Sequence, residues 1–173
     1  MQQAAEVYAA ATTRDQARIV FGDAQVMVKR NNTLSQHLKT HRSAILHDAS
    51  GSKFEPLSSD AGSLEGRNPS FSIVDEFHVH KTPEIYDVLN IASGARAQPI
   101  IFTITTAGTN KEGICYEVRD YVTKILDNLL EDDTFFSAIW GIDEGDDWRT
   151  VEAWQKANPN YGISVFPDDL ERL

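Results

Sequence analysis

The sequence predicts an α/β domain whose mainly parallel sheet is flanked by helices. Two short apolar runs, residues 71–74 and 99–105, have the length and β-branched content of buried parallel strands. A helical pattern follows each run, and another strand and helix precede them. This alternation favours a parallel sheet, because a helix is the usual route back to the start of the next parallel strand.

The first predicted strand covers residues 6–12, and a helix follows it from Thr13 to about Arg30. Thr13 and Gln16 have the spacing of a capping box, in which the threonine hydroxyl accepts a backbone N–H of the first turn. Apolar residues recur at helical spacing, so the helix has one apolar face. These residues are Ala17, Val20, Phe21, Ala24, Met27 and Val28.

The middle of the chain carries weaker patterns. Residues 41–47 and 53–57 predict short strands, and the turn cluster at residues 48–52 joins them into a hairpin. Residues 58–68 contain glycines and predict a loop that leads to the strand of residues 71–74.

Four later elements complete the pattern. They are a helix from Pro83 to about Ser93, a helix over residues 112–128, a strand over residues 134–141 and a short helix over residues 150–157. Proline at a first helical position and a following glycine are typical start and stop signals. Aromatic residues favour a strand at 134–141, and Asn158-Pro159 ends the last helix.

Composition limits the function classes. The 173 residues, 41% of them hydrophobic, suffice for one ordinary core. The net charge of −10 argues against a nucleic-acid-binding surface over the whole chain, although residues 1–60 are more basic and allow a local basic face. The single cysteine, Cys115, excludes an internal disulfide and a four-cysteine zinc site, and it suits a reducing cytoplasm. No apolar run has the length of a membrane span, and residues 1–3 do not begin a signal peptide.

An acidic pair, Asp75 and Glu76, directly follows the apolar run of residues 71–74. Acids at the carboxyl end of a parallel strand lie where open α/β sheets bind their ligands. In P-loop ATPases the aspartate at this place holds Mg²⁺, and a following glutamate polarises the attacking water. Two other interpretations stay open: the pair ends a strand at the solvent, or it forms a metal centre with His78 and His80.

Four segments of the sequence resemble, in order, the ATPase domain of the large terminase subunit of tailed bacteriophages. They are residues 7–17, 73–78, 104–108 and 157–159. The resemblance covers nearly the whole chain. It implies a RecA-like P-loop NTPase core that binds ATP and Mg²⁺, drives the packaging of viral DNA and is normally followed by a nuclease domain.

The resemblance also implies roles for particular residues. Asp75 would bind Mg²⁺, Glu76 would activate water, and Thr105 with Thr106 would sense the γ-phosphate. Arg67 lies where related motors carry an arginine that acts on a neighbouring subunit. The implied partners are double-stranded viral DNA, the terminase small subunit, the portal protein of the capsid and further copies of the same chain, in the cytoplasm of the host cell.

The sequence departs from the family at the phosphate-binding loop, because no G-x-x-x-x-G-K-[ST] motif occurs in it. We therefore expect a fragment that is incomplete at the N-terminus and hydrolyses little or no ATP alone. Residues 1–157 would be a partial ATPase domain, and residues 158–173 would begin a linker toward a missing nuclease domain. Two alternatives remain: a non-catalytic prophage remnant that acts as an interaction module, and a metal-dependent hydrolase that uses Asp75, Glu76, His78 and His80.

Overall fold

The computed structural model describes residues 4–57 and 66–172, so most of the predicted loop at 58–68 lies outside the described residues. The chain forms two compact units, Met1–Tyr121 and Val122–Leu173. The boundary predicted at residue 157 stays a prediction.

The first unit holds the sheet. Its strands are β1 (Glu6–Ala10), β2 (Lys39–Thr40), β3 (Ile45–His47), β4 (Ser52–Leu57), β5 (Pro69–Val74) and β6 (Ile100–Thr103). Its helices are α1 (Arg14–Arg30), α2 (Asn32–His37), α3 (Glu84–Ala92) and the first part of α4 (Ile114–Leu126), with short 3₁₀ helices at Phe77–Val79 and Ser93–Ala95.

The six described strands lie in the order β2-β3-β4-β1-β5-β6. The four strands β4, β1, β5 and β6 run parallel to one another, whereas β3 pairs antiparallel with β4, and β2 pairs antiparallel with β3. The prediction of a mainly parallel α/β sheet is confirmed, as is the hairpin, which β3 and β4 form. Because β1, β5 and β6 are parallel, their carboxyl ends meet at one edge of the sheet.

Two apolar clusters fix the helices on the sheet. In one, α3 packs Ile85 and Leu89, which lie four residues apart on one helix face, against Tyr8 of β1 and Val74 of β5. In the other, α1 packs Phe21 against the hairpin, with its ring 5.5 Å from the ring of Phe54 in an edge-to-face arrangement.

The cap and most of the apolar face predicted for α1 are confirmed. The Thr13 hydroxyl accepts the Gln16 backbone N–H at 3.2 Å, and Ala17, Phe21 and Val28 are buried. Met27 is the exception, since 63% of it is exposed. The helix turns about 100° per residue, so a position next to a buried residue can already point to solvent.

The second unit contains the end of α4, α5 (Val151–Ala157) and α6 (Pro167–Leu170). The short helix predicted at residues 150–157 is confirmed, and the Thr150 hydroxyl caps it by accepting the Ala153 N–H at 3.2 Å. The strand predicted at residues 134–141 is wrong, because the structure has no regular element there. Phe136 is 91% exposed. A strand needs a hydrogen-bonding neighbour, which β-forming side chains cannot supply by themselves.

In the described part of the chain, the structure contains no helix that is both long and apolar enough to span a membrane.

Candidate active site

Backbone hydrogen bonds continue past the strands at the carboxyl edge of the sheet. The Asp75 N–H donates to the Ala10 carbonyl at 2.9 Å, and the Ile104 N–H donates to the Val74 carbonyl at 2.9 Å. The Phe77 N–H then donates to the Ile104 carbonyl at 3.1 Å. These bonds hold the acidic pair beside the end of β6.

Asp75 and Glu76 lie at a sharp change of backbone direction. Glu76 has φ 49° and ψ 50°, the left-handed region, and its N–H donates to Asp75 Oδ1 at 2.9 Å. A residue with a Cβ adopts this conformation at a cost of about 1–2 kcal/mol. Buried Phe77, in the apolar cluster with Val74 and Leu89, anchors the 3₁₀ helix that follows. Strained residues of this kind occur disproportionately at functional sites.

The carboxylate of Asp75 fits the requirements of Mg²⁺. Apart from the bond that Glu76 donates, no hydrogen bond or ion pair engages this side chain within the described residues. Among residues 4–57 and 66–172 there is also no group of three or more His, Cys, Asp or Glu side chains that could hold a metal ion. Mg²⁺ characteristically binds through one or two carboxylates together with the phosphates of a substrate, so it needs no such group.

Thr105 and Thr106, at the end of β6, both reach the acidic turn. The Thr105 hydroxyl accepts the backbone N–H of His78 at 3.0 Å. The Thr106 hydroxyl lies 3.5 Å from Glu76 Oε2, at the outer limit of a hydrogen bond. The structure therefore brings together four of the predicted site residues, Asp75, Glu76, Thr105 and Thr106.

His78 and His80 do not form a metal centre with the acids. His78 Nδ1 lies 2.9 Å from Thr105 Oγ1 and 3.2 Å from Glu76 Oε2. His80 is buried, and its Nε2–H donates to the Asp75 carbonyl at 3.3 Å. Burial lowers the pKa of His80, so this ring is neutral at pH 7. The metal-dependent hydrolase that would use both histidines has no support in this geometry.

Sequence reasoning missed two residues beside the threonines. Gly108 packs so closely against His78 that an added Cβ would lie 2.9 Å from the His78 Cβ. Cys115, near the start of α4, is half-buried, and this burial raises the pKa of its thiol, against the opposing effect of a hydrogen bond with Thr105. The thiol is therefore protonated at neutral pH and is a poor nucleophile. Gly108 belongs to the resembling segment of residues 104–108 and Cys115 is the single cysteine, but the sequence alone assigned neither residue a role at the site.

Arg67 lies away from this edge. It precedes β5, whereas Asp75 follows it, and a six-residue strand spans about 20 Å. The Arg67 guanidinium lies 3.2 Å from Glu55 Oε2 and 5.0 Å from the centre of the Tyr8 ring. The structure does not bring Arg67 to the site of its own chain, and its predicted action on a neighbouring subunit stays a prediction.

A cleft of about 310 Å³ borders the site beyond the end of β1. Its lining residues are Thr12, Val79, His80, Lys81, Thr82 and Ile85. The cleft therefore presents hydroxyl groups and an ammonium group next to the backbone of the acidic turn.

Comparison with known proteins identifies relatives. Residues 2–124 match the family model described as the ATPase domain of the terminase large subunit. Protein YmfN of Escherichia coli K12 is 42% identical over 106 residues, which are 61% of this chain and 23% of that protein. The terminase large subunit of Enterobacteria phage HK97 is 24% identical over an alignment of 176 positions, gaps included, which covers 98% of this chain and 34% of that protein. The matches thus span only 23% and 34% of the length of these two curated relatives.

Solved structures agree in fold. The crystal structure of the HK97 bacteriophage large terminase superposes with a TM-score of 0.84 at 23% identity, over 99% of this chain and 36% of that one. The large terminase of the thermophilic bacteriophage D6E, in complex with ADP, superposes with a TM-score of 0.52 at 16% identity, over 72% of this chain and 31% of that one.

Proposed function

The chain belongs to the terminase large subunit family through its ATPase domain, and from this membership we propose that it supplies the hydrolytic edge of an ATP-driven DNA-packaging motor. The observation that carries the proposal is the junction of β5 and β6. There Asp75 and Glu76 leave the parallel sheet beside Thr106, whose hydroxyl lies 3.5 Å from Glu76 Oε2.

In this proposal the two carboxylates have different roles. The Asp75 side chain, free of ion pairs within the described residues, holds Mg²⁺, which when bound neutralises phosphate charge. The Glu76 side chain, 42% exposed, projects from the left-handed turn, orients the attacking water and accepts its proton. The Thr106 hydroxyl restrains the Glu76 carboxylate.

A graft tests the role of Glu76. Residues 4–172 of this chain would replace the matching segment of the HK97 large terminase, and ATP turnover would be measured with Glu76→Gln and Asp75→Asn. We expect Glu76→Gln to lower kcat by about 10²–10⁴-fold, the usual effect of losing a general base. Asp75→Asn should raise the Mg²⁺ concentration that turnover requires.

Glu84→Gln is the matched control, since Glu84 is an exposed carboxylate at the start of α3. It should leave turnover unchanged. Full activity of the Glu76→Gln graft would refute the assignment and would leave the interaction module as the better explanation of this chain.

We further propose that the 173-residue chain hydrolyses little or no ATP by itself. The usual phosphate cradle is a glycine-rich loop with backbone N–H groups and a lysine, and its motif does not occur in these residues. Phosphate release from ATP by the purified chain, compared with its Glu76→Gln variant, tests this. Turnover that depends on Glu76 would contradict it.

The family membership also suggests the partners: double-stranded viral DNA, the terminase small subunit, the portal protein and further copies of the chain, in the host cytoplasm. The charge of −10 makes a DNA-binding face local at most. Binding to double-stranded DNA at increasing salt would be measured for the graft and for the unmodified HK97 large terminase. The difference between them would show how this segment affects DNA affinity.

A further inference from the structure

His78 lies between the Glu76 carboxylate and the end of β6. Its backbone N–H donates to Thr105 Oγ1 at 3.0 Å, and its ring Nδ1 lies 2.9 Å from the same oxygen. The same Nδ1 lies 3.2 Å from Glu76 Oε2. One ring nitrogen therefore contacts both the end of β6 and the glutamate.

The two oxygen contacts of Nδ1 favour a proton on this nitrogen. The Thr105 hydroxyl lies 2.9 Å from the Thr106 carbonyl, so it can donate its one hydrogen there and accept from His78. The Glu76 carboxylate is also only an acceptor when ionised. An Nδ1–H satisfies both oxygens at once, whereas an Nδ1 lone pair would face two acceptors.

The packing of Gly108 holds the ring in this place. An added Cβ at Gly108 would lie 2.9 Å from the His78 Cβ and 3.1 Å from its Cδ2. The loop after β6 thus contacts the ring directly, while the ring contacts Glu76. A displacement of this loop would therefore press on the ring.

We propose that His78 is a positioning residue that links the Glu76 carboxylate to the end of β6 through its Nδ1–H. The proposal rests on the catalytic role proposed for Glu76, and it adds a residue that orients the Glu76 carboxylate. A shift of residues 105–108 moves the ring and so turns the carboxylate toward or away from the attacking water.

The tautomer of His78 tests the proposal in the chain itself, without nucleotide. Long-range ¹H–¹⁵N spectra of the protein labelled at its five histidines, recorded at about pH 8.5, show which ring nitrogen carries the proton. The His78→Gln variant assigns the signal of His78. His80 serves as an internal reference, since its Nε2–H donates to the Asp75 carbonyl.

We expect His78 to carry its proton mainly on Nδ1 and His80 on Nε2. Thr105→Val and Glu76→Gln should each lower the ratio of the Nδ1–H to the Nε2–H form of His78 by about 2- to 12-fold, the effect of one net hydrogen bond. Thr103→Val, at the last residue of β6 and two positions before Thr105, should leave the ratio unchanged.

An Nε2–H form of His78 in the unmodified chain would overturn the proposal, as would a ratio that neither variant changes. If Thr105→Val prevents folding, Glu76→Gln decides alone, because Glu76 is 42% exposed and the substitution keeps its shape. No turnover enters the measurement. Failure here is therefore distinct from failure of the proposed function, which would appear as an active Glu76→Gln graft.

Discussion

The left-handed conformation of Glu76 predicts an unusual response to glycine. At φ 49° a residue with a Cβ costs about 1–2 kcal/mol more than at an ordinary position, and glycine removes that cost. Glycine also gives the unfolded chain more conformational freedom, and this offsets about 0.5–1 kcal/mol of the stability gained in the folded state. We expect Glu76→Gly to be more stable than Glu76→Ala by about 0.5–1 kcal/mol.

Glu84 provides the opposite case. It is the first residue of α3, where a glycine variant is less stable than an alanine variant by at most about 1 kcal/mol, the value for a helix interior. The order of the two variants should therefore reverse between positions 76 and 84. Both Glu76 variants lose the same contacts to Thr106 and His78. The difference between their free energies of unfolding therefore reports the cost of the backbone conformation alone.

Urea unfolding followed by circular dichroism measures the four free energies of unfolding, and thermal unfolding gives a check. A difference of about 1 kcal/mol corresponds to about 2–4 °C for a chain of this size. If alanine is as stable as glycine at position 76, the strained turn is not a property of the folded protein and the reasoning fails.

Three further predictions concern the same unit. Gly108→Ala should lower the free energy of unfolding by about 1–3 kcal/mol in urea titrations, because its Cβ would lie 2.9 Å from the His78 Cβ. Ile100→Lys should raise the concentration at which light scattering detects aggregates, because Ile100 is 56% exposed on a strand with one described neighbour. The lowered pKa of His80 should reduce stability as pH falls below about 6.5, where the unfolded chain takes up a proton that the folded chain resists. His80→Gln should remove that part of the pH dependence.

Each of these has a control. Gly94→Ala meets no atom within 4 Å and should cost little. Ile19→Lys, on an exposed face of α1, should affect aggregation less than Ile100→Lys. For His80, the free energies of unfolding of the unmodified protein and of His80→Gln are compared between pH 8 and pH 5.5. The difference between the two pH dependences is the contribution of the histidine. An equal pH dependence with and without the imidazole would show that burial of His80 does not depress its protonation.

Short-range patterns predicted the strands and helices that local chemistry defines. The apolar run that became β5 ends at Asp75 because charged side chains cannot continue a strand buried on both faces. Thr13 and Thr150 cap their helices through bonds to residues three positions away, which sequence spacing shows directly. The false strand at residues 134–141 had the right composition, but pairing depends on a distant partner.

The site was predictable in part for the same reason. Asp75 and Glu76 are adjacent in sequence and lie at a recognisable strand end. The bond between His78 and Thr105 joins residues 27 positions apart, and it depends on the register of β5 with β6. Neither that register nor the left-handed turn at Glu76 has a local signature in these residues.

The backbone bonds at Asp75, Phe77 and Ile104 form a frame that ties the acidic pair to the sheet. Their amides join β1, β5 and β6 beyond the strand ends, so they should exchange with solvent hydrogen only when the sheet itself opens. Asp75 is thereby fixed relative to the core. These three bonds do not hold the Glu76 side chain or residues 105–108, so we expect any motion at this edge of the sheet to occur there and not at Asp75.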